Sequence, residues 1–194
     1  MKVTEICVVP AERRIRLTVE MPDPDHFLTS QVPHLAEGLF RLFPHLRHHK
    51  CDNGGGHAFR RECRRTEIPH LFEHLIIELQ AQVQPAEVLR GETRWNWRVD
   101  PRGRFYVFVD YENELLAVGA IRLAERIIHG LDRRVLEDLD THAEMARLRE
   151  LARLGRELLG GVFSAAPPDS DPVLQESAPK RSWSSVKLVP ADTT

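Results

Sequence analysis

The sequence predicts a single α+β domain in which a mainly antiparallel sheet carries helices on one face. Three observations predict it. Two pairs of short, β-rich runs are each joined by turn residues, so two hairpins supply most of the strands. Three long runs carry apolar residues at helical spacing, which gives each a face to bury. The residues are 42% hydrophobic and 29% charged, a balance that can build an ordinary soluble core.

Lys2 to Val9 and Ile15 to Met21 read as the first two strands, with the PAERR segment as their turn. IRLTVEM alternates apolar and polar residues at period two, the mark of a half-buried strand. MPDPD, from Met21 to Asp25, opens a loop. Ser30 is placed to cap a helix running to about Phe43, with Pro33 tolerated in its first turn. The segment from His45 to Glu67 is rich in Gly, His and Arg, with Gly54, Gly55 and Gly56 in a row. It reads as a polar loop whose glycines take positive φ. Its His45, His48, His49 and Cys51 also leave a metal site open, although their spacing matches no familiar one.

A helix follows from Ile68 to Val83, ended by Pro85. Thr93 to Val99 and Arg104 to Asp110 form the second hairpin, around Asp100-Pro101-Arg102-Gly103. Trp95 and Trp97 share one face of its first strand, where they either cover the sheet or stack on a ligand. Phe105, Val107 and Val109 alternate with Tyr106 and Phe108, so both faces of the last strand are expected to be covered. A helix from about Glu114 to His129 takes Asn113 as its cap; Ala117, Gly119, Ala120 and Ala124 suit close packing against another element. A last helix, Asp140 to Leu159, ends at Gly160-Gly161. Pro, Ser and Asp dominate beyond it, giving a domain over 1–161 and a disordered tail over 162–194. Within the tail, the Trp183 to Val189 patch is either a docking segment or unstructured.

A net charge of −2 gives no case for nucleic acid. Three cysteines, Cys7, Cys51 and Cys63, are odd in number and lack C-x-x-C spacing, which points to a reducing compartment. No apolar run approaches membrane-spanning length, and the N-terminus lacks a signal pattern. The expected setting is the cytoplasm, with no membrane partner.

The chemistry concentrates in IPHLFEHLIIELQAQV. At about 100° per residue, His70, Glu73 and His74 fall on one helical face. Ile68, Leu71, Phe72, Leu75, Ile76 and Leu79 cover the other. Two His at i and i+4 can chelate one metal ion, and a Glu just before the second His can work on water activated there. This is the H-x-x-E-H order of the inverted zincins. A solvated His/Glu face is the plain alternative. Ile77 and Ala81 continue that face, which suits a walled pocket better than open solvent. The run Arg60, Arg61, Arg64 and Arg65 is either solvated or set to meet an anionic substrate.

Several stretches add up to a resemblance. Cys51 and a Gly-rich turn, Phe59 and an Arg pair lead to Thr66, the pentad and Ile77-Glu78-Leu79-Gln80. Gly91-Glu92-Thr93-Arg94, Tyr111-Glu112-Asn113-Glu114 and Arg122-Leu123-Ala124 follow. The run from about Lys2 to Leu131 resembles the N-terminal domain of cyanophycin synthetase. In that family, separate ligase domains build a polypeptide of Asp backbone and Arg side chains. The N-terminal domain binds the polymer and, in some members, looks like a pitrilysin-type metallopeptidase. The resemblance therefore implies a stand-alone relative of the accessory domain, without synthesis by this chain. Pro69 stands where the family tends to have Gly, and Gly54 to His57 differs from the usual turn.

Two functions follow. The first is a zinc-dependent peptidase or amidohydrolase acting on a charged polypeptide. His70 and His74 would be ligands. The resemblance implies Glu114 as the third, through its place in Tyr-x-x-Glu, with Glu112 as fallback. Glu73 would be the general base. Arg94, Arg61 and Arg64, with their neighbours Arg60 and Arg65, would hold substrate carboxylates. The second is a non-catalytic module that grips a charged polymer or a separately encoded partner protein.

Overall fold

The structure is a computed structural model and describes residues 1–23, 25–51, 58–85, 88–135 and 139–162. The expected tail beyond Val162, its Trp183–Val189 patch and the Gly54–His57 turn lie outside the described residues. The elements are β1 (Lys2–Val9), β2 (Arg14–Glu20), α1 (Pro33–Leu42), α2 (Phe59–Glu62), α3 (Ile68–Val83), β3 (Gly91–Arg94), β4 (Arg104–Asp110), α4 (Glu114–Arg133) and α5 (Thr141–Val162). The four strands form one antiparallel sheet in the order β1-β2-β4-β3. The fold is the expected α+β one.

The sheet buries one face. Ile15, Leu17 and Val19 of β2 and Phe105, Val107 and Val109 of β4 are all completely buried. In β1 the pairing slips between Val3 and Glu5. That extra residue resets the alternation, so Val3, Ile6 and Val8 all join the core. On the opposite face, Tyr106 and Phe108 are half-buried. Tyr106 donates to Asp100 at 2.8 Å, and the Arg94 guanidinium lies 5.4 Å over the Phe108 ring. Long polar side chains thus provide the cover expected on this face. Ion pairs Arg14–Asp110 at 2.9 Å and Arg104–Glu20 at 2.7 Å clamp the two ends of the β2–β4 ladder.

Two local expectations are corrected. The second hairpin's first strand ends at Arg94 instead of reaching Val99. Asn96 accepts from the Val99 and Asp100 amides, closing a turn, and the Trp97 indole donates to Arg104 O at 3.0 Å. Trp97 then packs edge-on to Phe27 and Phe105, closing the apolar layer. Ser30 does not cap α1: a 3-10 turn spans Thr29–Gln31, and the helix starts at Pro33 with no side-chain cap. Proline at the first position needs no cap for the N–H it lacks.

α4 is capped as expected, with Asn113 Oδ1 accepting from the Leu116 amide at 3.1 Å. The same side chain donates to Ala152 O at 2.9 Å, tying α5 to α4. α5 continues through the glycines to Val162. A Cβ on Gly119 would come within 2.5 Å of Leu151, so the small residues of α4 do mark a close approach.

α3 lies at the centre, in contact with β3, β4, α4 and α5. From Ile68 to Gln80, His70 alone is partly exposed. The expected two-sided helix is therefore walled all round, with Leu71, Leu75 and Leu79 fully buried. α4 runs antiparallel to it. Ile68 shares one cavity with Ile128 and His129, while Gln80 and Gln84 share another with Glu112 and Leu116. Among the described residues, no helix is long and apolar enough to cross a membrane.

Candidate metal centre

His70 and His74 stand one turn apart near the start of α3, ring centroids 4.9 Å from each other. The chain before α3 folds over them. α2 brings Phe59, completely buried, into stacking contact with His74 at 3.7 Å and edge-on to His70. The stretch ahead of it brings His49 and Cys51. Cys51 Sγ lies 3.4 Å from His70 Nε2. Cys51, His70 and His74 each offer one donor atom, and the three atoms lie within 4.8 Å of one another.

Both imidazoles are anchored through Nδ1. His70 Nδ1 is 2.7 Å from the Thr66 hydroxyl, which itself donates to Glu67. The hydroxyl therefore accepts a hydrogen bond from Nδ1–H, and His70 Nε2 keeps its lone pair. His74 Nδ1 is 3.1 Å from His49 Nδ1, and His49 Nε2 is 2.8 Å from the Glu78 carboxylate. Gln82 donates to the other Glu78 oxygen at 2.7 Å. Burial raises the Glu78 carboxyl, but the hydrogen bonds from His49 and Gln82 outweigh it and hold the group below its ordinary value. An ionised Glu78 fixes the proton of His49 on Nε2. His49 Nδ1 then accepts from His74 Nδ1, and His74 Nε2 keeps its lone pair. That atom is buried and has no hydrogen-bond partner among the described residues.

Two neutral imidazoles beside a thiol are the donor set of a zinc site. Metal-bound histidines are ordinarily held through the other ring nitrogen in this way. The residues present therefore fit the metal. Burial keeps both rings neutral: His70 is pushed down to about 4, and His74 falls well below its ordinary value, His70 and His49 adding to the effect.

Glu73 leaves the His face toward the sheet. Thr93 on β3 donates to its Oε2 at 2.6 Å. A Cβ on Gly91 would fall 2.5 Å from its Oε1, so the strand must be bare there for the carboxyl to fit. Burial raises the Glu73 carboxyl to about 8, against the Thr93 hydrogen bond and with help from Glu92.

The other expected residues do not gather here. Glu114 and Glu112 are exposed at the start of α4. Because α4 is antiparallel to α3, its start lies beside Gln80 and Gln84, at the far end from His70. The residue brought to the two histidines is Cys51, where Glu114 was expected. Arg94 points to the outer face of the sheet, held by Glu92 at 2.6 Å. Arg61 is exposed on α2, and Arg64 lines an open cavity just after it. His49 and Cys51 had surfaced in the sequence within a His-rich loop that left a metal site open, and Cys51 also in the resemblance. Thr66, Glu78 and Thr93 carried no signal of their own beyond their positions around the pentad.

Residues 14–133 match the model of the cyanophycin synthase-like N-terminal domain, 120 of the chain's 194 residues. No curated protein matches the chain.

Proposed function

The chain belongs to the family of cyanophycin synthase-like N-terminal domains, and on that premise we propose that it is a zinc-dependent hydrolase of a charged, cyanophycin-like polypeptide. One observation carries the reading. Both imidazoles are tied down at Nδ1, His70 Nε2 meets Cys51 Sγ, His74 Nε2 has no partner among the described residues, and one donor atom from each of the three residues lies within 4.8 Å of the others. Zinc bound there would supply Lewis acidity, polarising the scissile carbonyl and lowering the pKa of water.

The protein's own groups do the rest. Thr66, and the row Gln82–Glu78–His49, keep both ligands in the binding tautomer. Phe59 keeps water from the His74 ring. In this reading Glu73, next to the second ligand in sequence, takes the proton of the attacking water and returns it to the leaving amine, which requires its carboxyl to turn from Thr93 on β3 toward the ligands. Burial raises that carboxyl to about 8, so it is deprotonated, and able to act as the base, only as the pH rises toward that value.

The second reading is a non-catalytic binding module. It is favoured by the burial of Glu73 and His74, which are 1% and 0% exposed. The two readings separate in one experiment. Protein purified without a His-tag is measured for zinc and for shortening of cyanophycin-like and generic acidic peptides. The hydrolase requires stoichiometric zinc. Glu73→Gln should keep that zinc yet lose hydrolysis by roughly 10²–10⁴-fold, and His74→Ala should lose the metal itself. A chain that takes up no zinc, or that holds it and cuts nothing, is the binding module. Equal cleavage by wild type and Glu73→Gln would place the base elsewhere.

A further inference from the structure

Beside the cluster lies a cavity of about 650 Å³, within the range of roughly 300–1,000 Å³ that ligand sites occupy. α1 and the 3-10 turn after it supply Arg41 and Arg47. α2 and the residues after it supply Arg60 and Arg64, with Cys63 buried beneath them. Glu37 is the one carboxylate among its lining residues.

The four guanidiniums share one concavity with a single carboxylate among them. Arg14, Arg104, Arg126, Arg147 and Arg153 each hold a carboxylate. Arg41, Arg47, Arg60 and Arg64 are exposed, and no acid pairs with them among the described residues. Four like charges around one concavity repel one another, an arrangement that a bound anion relieves. α2 links the two places: Phe59 stacks on His74, while Arg60, the next residue, lines the cavity.

We propose that this cavity is a recognition subsite for a polypeptide with successive carboxylate side chains. It rests on the hydrolase reading, whose substrate it would hold next to the metal ligands. Planar guanidinium forks match carboxylates two bonds at a time. Nucleic acid fits less well. The chain has a net charge of −2, with acidic and basic residues mixed along it. Phe40, the aromatic ring in the lining, is buried and already covered by Arg47 at 5.5 Å, so it offers no stacking platform.

The test uses the full chain and a fluorescent oligo-aspartate. Binding is read by anisotropy in excess chelator, so that peptide is not consumed, and cleavage is read in a parallel arm with zinc. Arg60→Ala/Arg64→Ala should weaken binding at least roughly tenfold, the loss expected for charge-assisted hydrogen bonds. Arg60→Lys/Arg64→Lys should recover part of it. Arg98→Ala/Arg149→Ala removes the same charge from exposed sites elsewhere and should change nothing. Equal weakening by both alanine pairs overturns the proposal. So does tighter binding of a single-stranded oligonucleotide of matched charge through Arg60 and Arg64, which would make the cavity a nucleic-acid site. Binding with no cleavage in the zinc arm keeps the subsite and removes the hydrolase. Cleavage of uncharged peptides by a chain that ignores oligo-aspartate does the reverse.

Discussion

His49→Ala tests the arrangement of the metal centre where it is most exposed to refutation. His49 touches no metal in this scheme. It holds His74 by one ring nitrogen and Glu78 by the other, at 3.1 and 2.8 Å, and is itself 2% exposed. Alanine removes both contacts and leaves a cavity against His74. Glu78 keeps only Gln82, and His74 Nδ1 loses its acceptor inside the protein. Removing a buried hydrogen bond to an ionised carboxylate costs about 1.5–3 kcal/mol. That is a large share of the roughly 5–15 kcal/mol that holds a domain together. Zinc affinity should fall about 10–100-fold, because the proton that Glu78 and His49 place on His74 Nδ1 is no longer fixed there. Urea titrations with and without a chelator give the first quantity, and competition with a chelating dye gives the second. Glu78→Gln keeps the acceptor and loses the charge, so it should show a smaller version of both losses. A His49→Ala protein that loses under about 1 kcal/mol and binds zinc as before would refute the assignment of His74 Nε2 as a ligand atom.

Gly91→Ala puts a methyl 2.5 Å from Glu73 Oε1 and 2.6 Å from its Cγ; it should cost about 1–3 kcal/mol and lower hydrolysis, with zinc content unchanged. Asn113→Ala loses the α4 cap and the bond to Ala152 O. About 2 kcal/mol should go in chemical denaturation. Burial, aided by Glu62, pushes the Cys63 thiol up to about 12 from its ordinary 9.0. The folded state therefore holds the Cys63 proton more tightly than the unfolded chain does. The stability this confers is whole below pH 9.0 and is lost as pH rises toward about 12. Cys63→Ala should flatten that alkaline limb of the stability curve, and a steeper limb in the variant would contradict the burial of the thiol.

Much of the fold could be read from the chain because its signals are local. IRLTVEM states its own periodicity, and Asn113 sits directly before the helix it caps. The bulge in β1 could not be read so, because Val3 and Ile6 look out of phase until the partner strand is known. Trp95 and Trp97 misled for a related reason. Their spacing of two suggested a strand, while the Asn96 turn and the indole bond to Arg104 O depend on contacts across the hairpin. The pentad was legible as two histidines and a carboxylate. Its third donor was not, since Glu114 was placed by the resemblance through Tyr-x-x-Glu and helix packing direction decides which side chains meet. His49 and Cys51 drew attention for their residue types. Only the fold of the segment over α3 shows that they belong with His70 and His74.

A helix enclosed on every side has a kinetic consequence. The amides of α3 are protected by the sheet, by two other helices and by the segment that carries Phe59. Their hydrogen exchange should therefore proceed only through global unfolding, at the slow end of the scale for this chain. A metal ion or a peptide that reaches His74 in the folded protein must be let in by the neighbours of α3. The least self-sufficient of these is α2, four residues long and far below the length at which a helix holds itself together. It keeps its place because Phe59 is anchored in the core. Entry to the centre is thus governed by how often one aromatic ring leaves its seat.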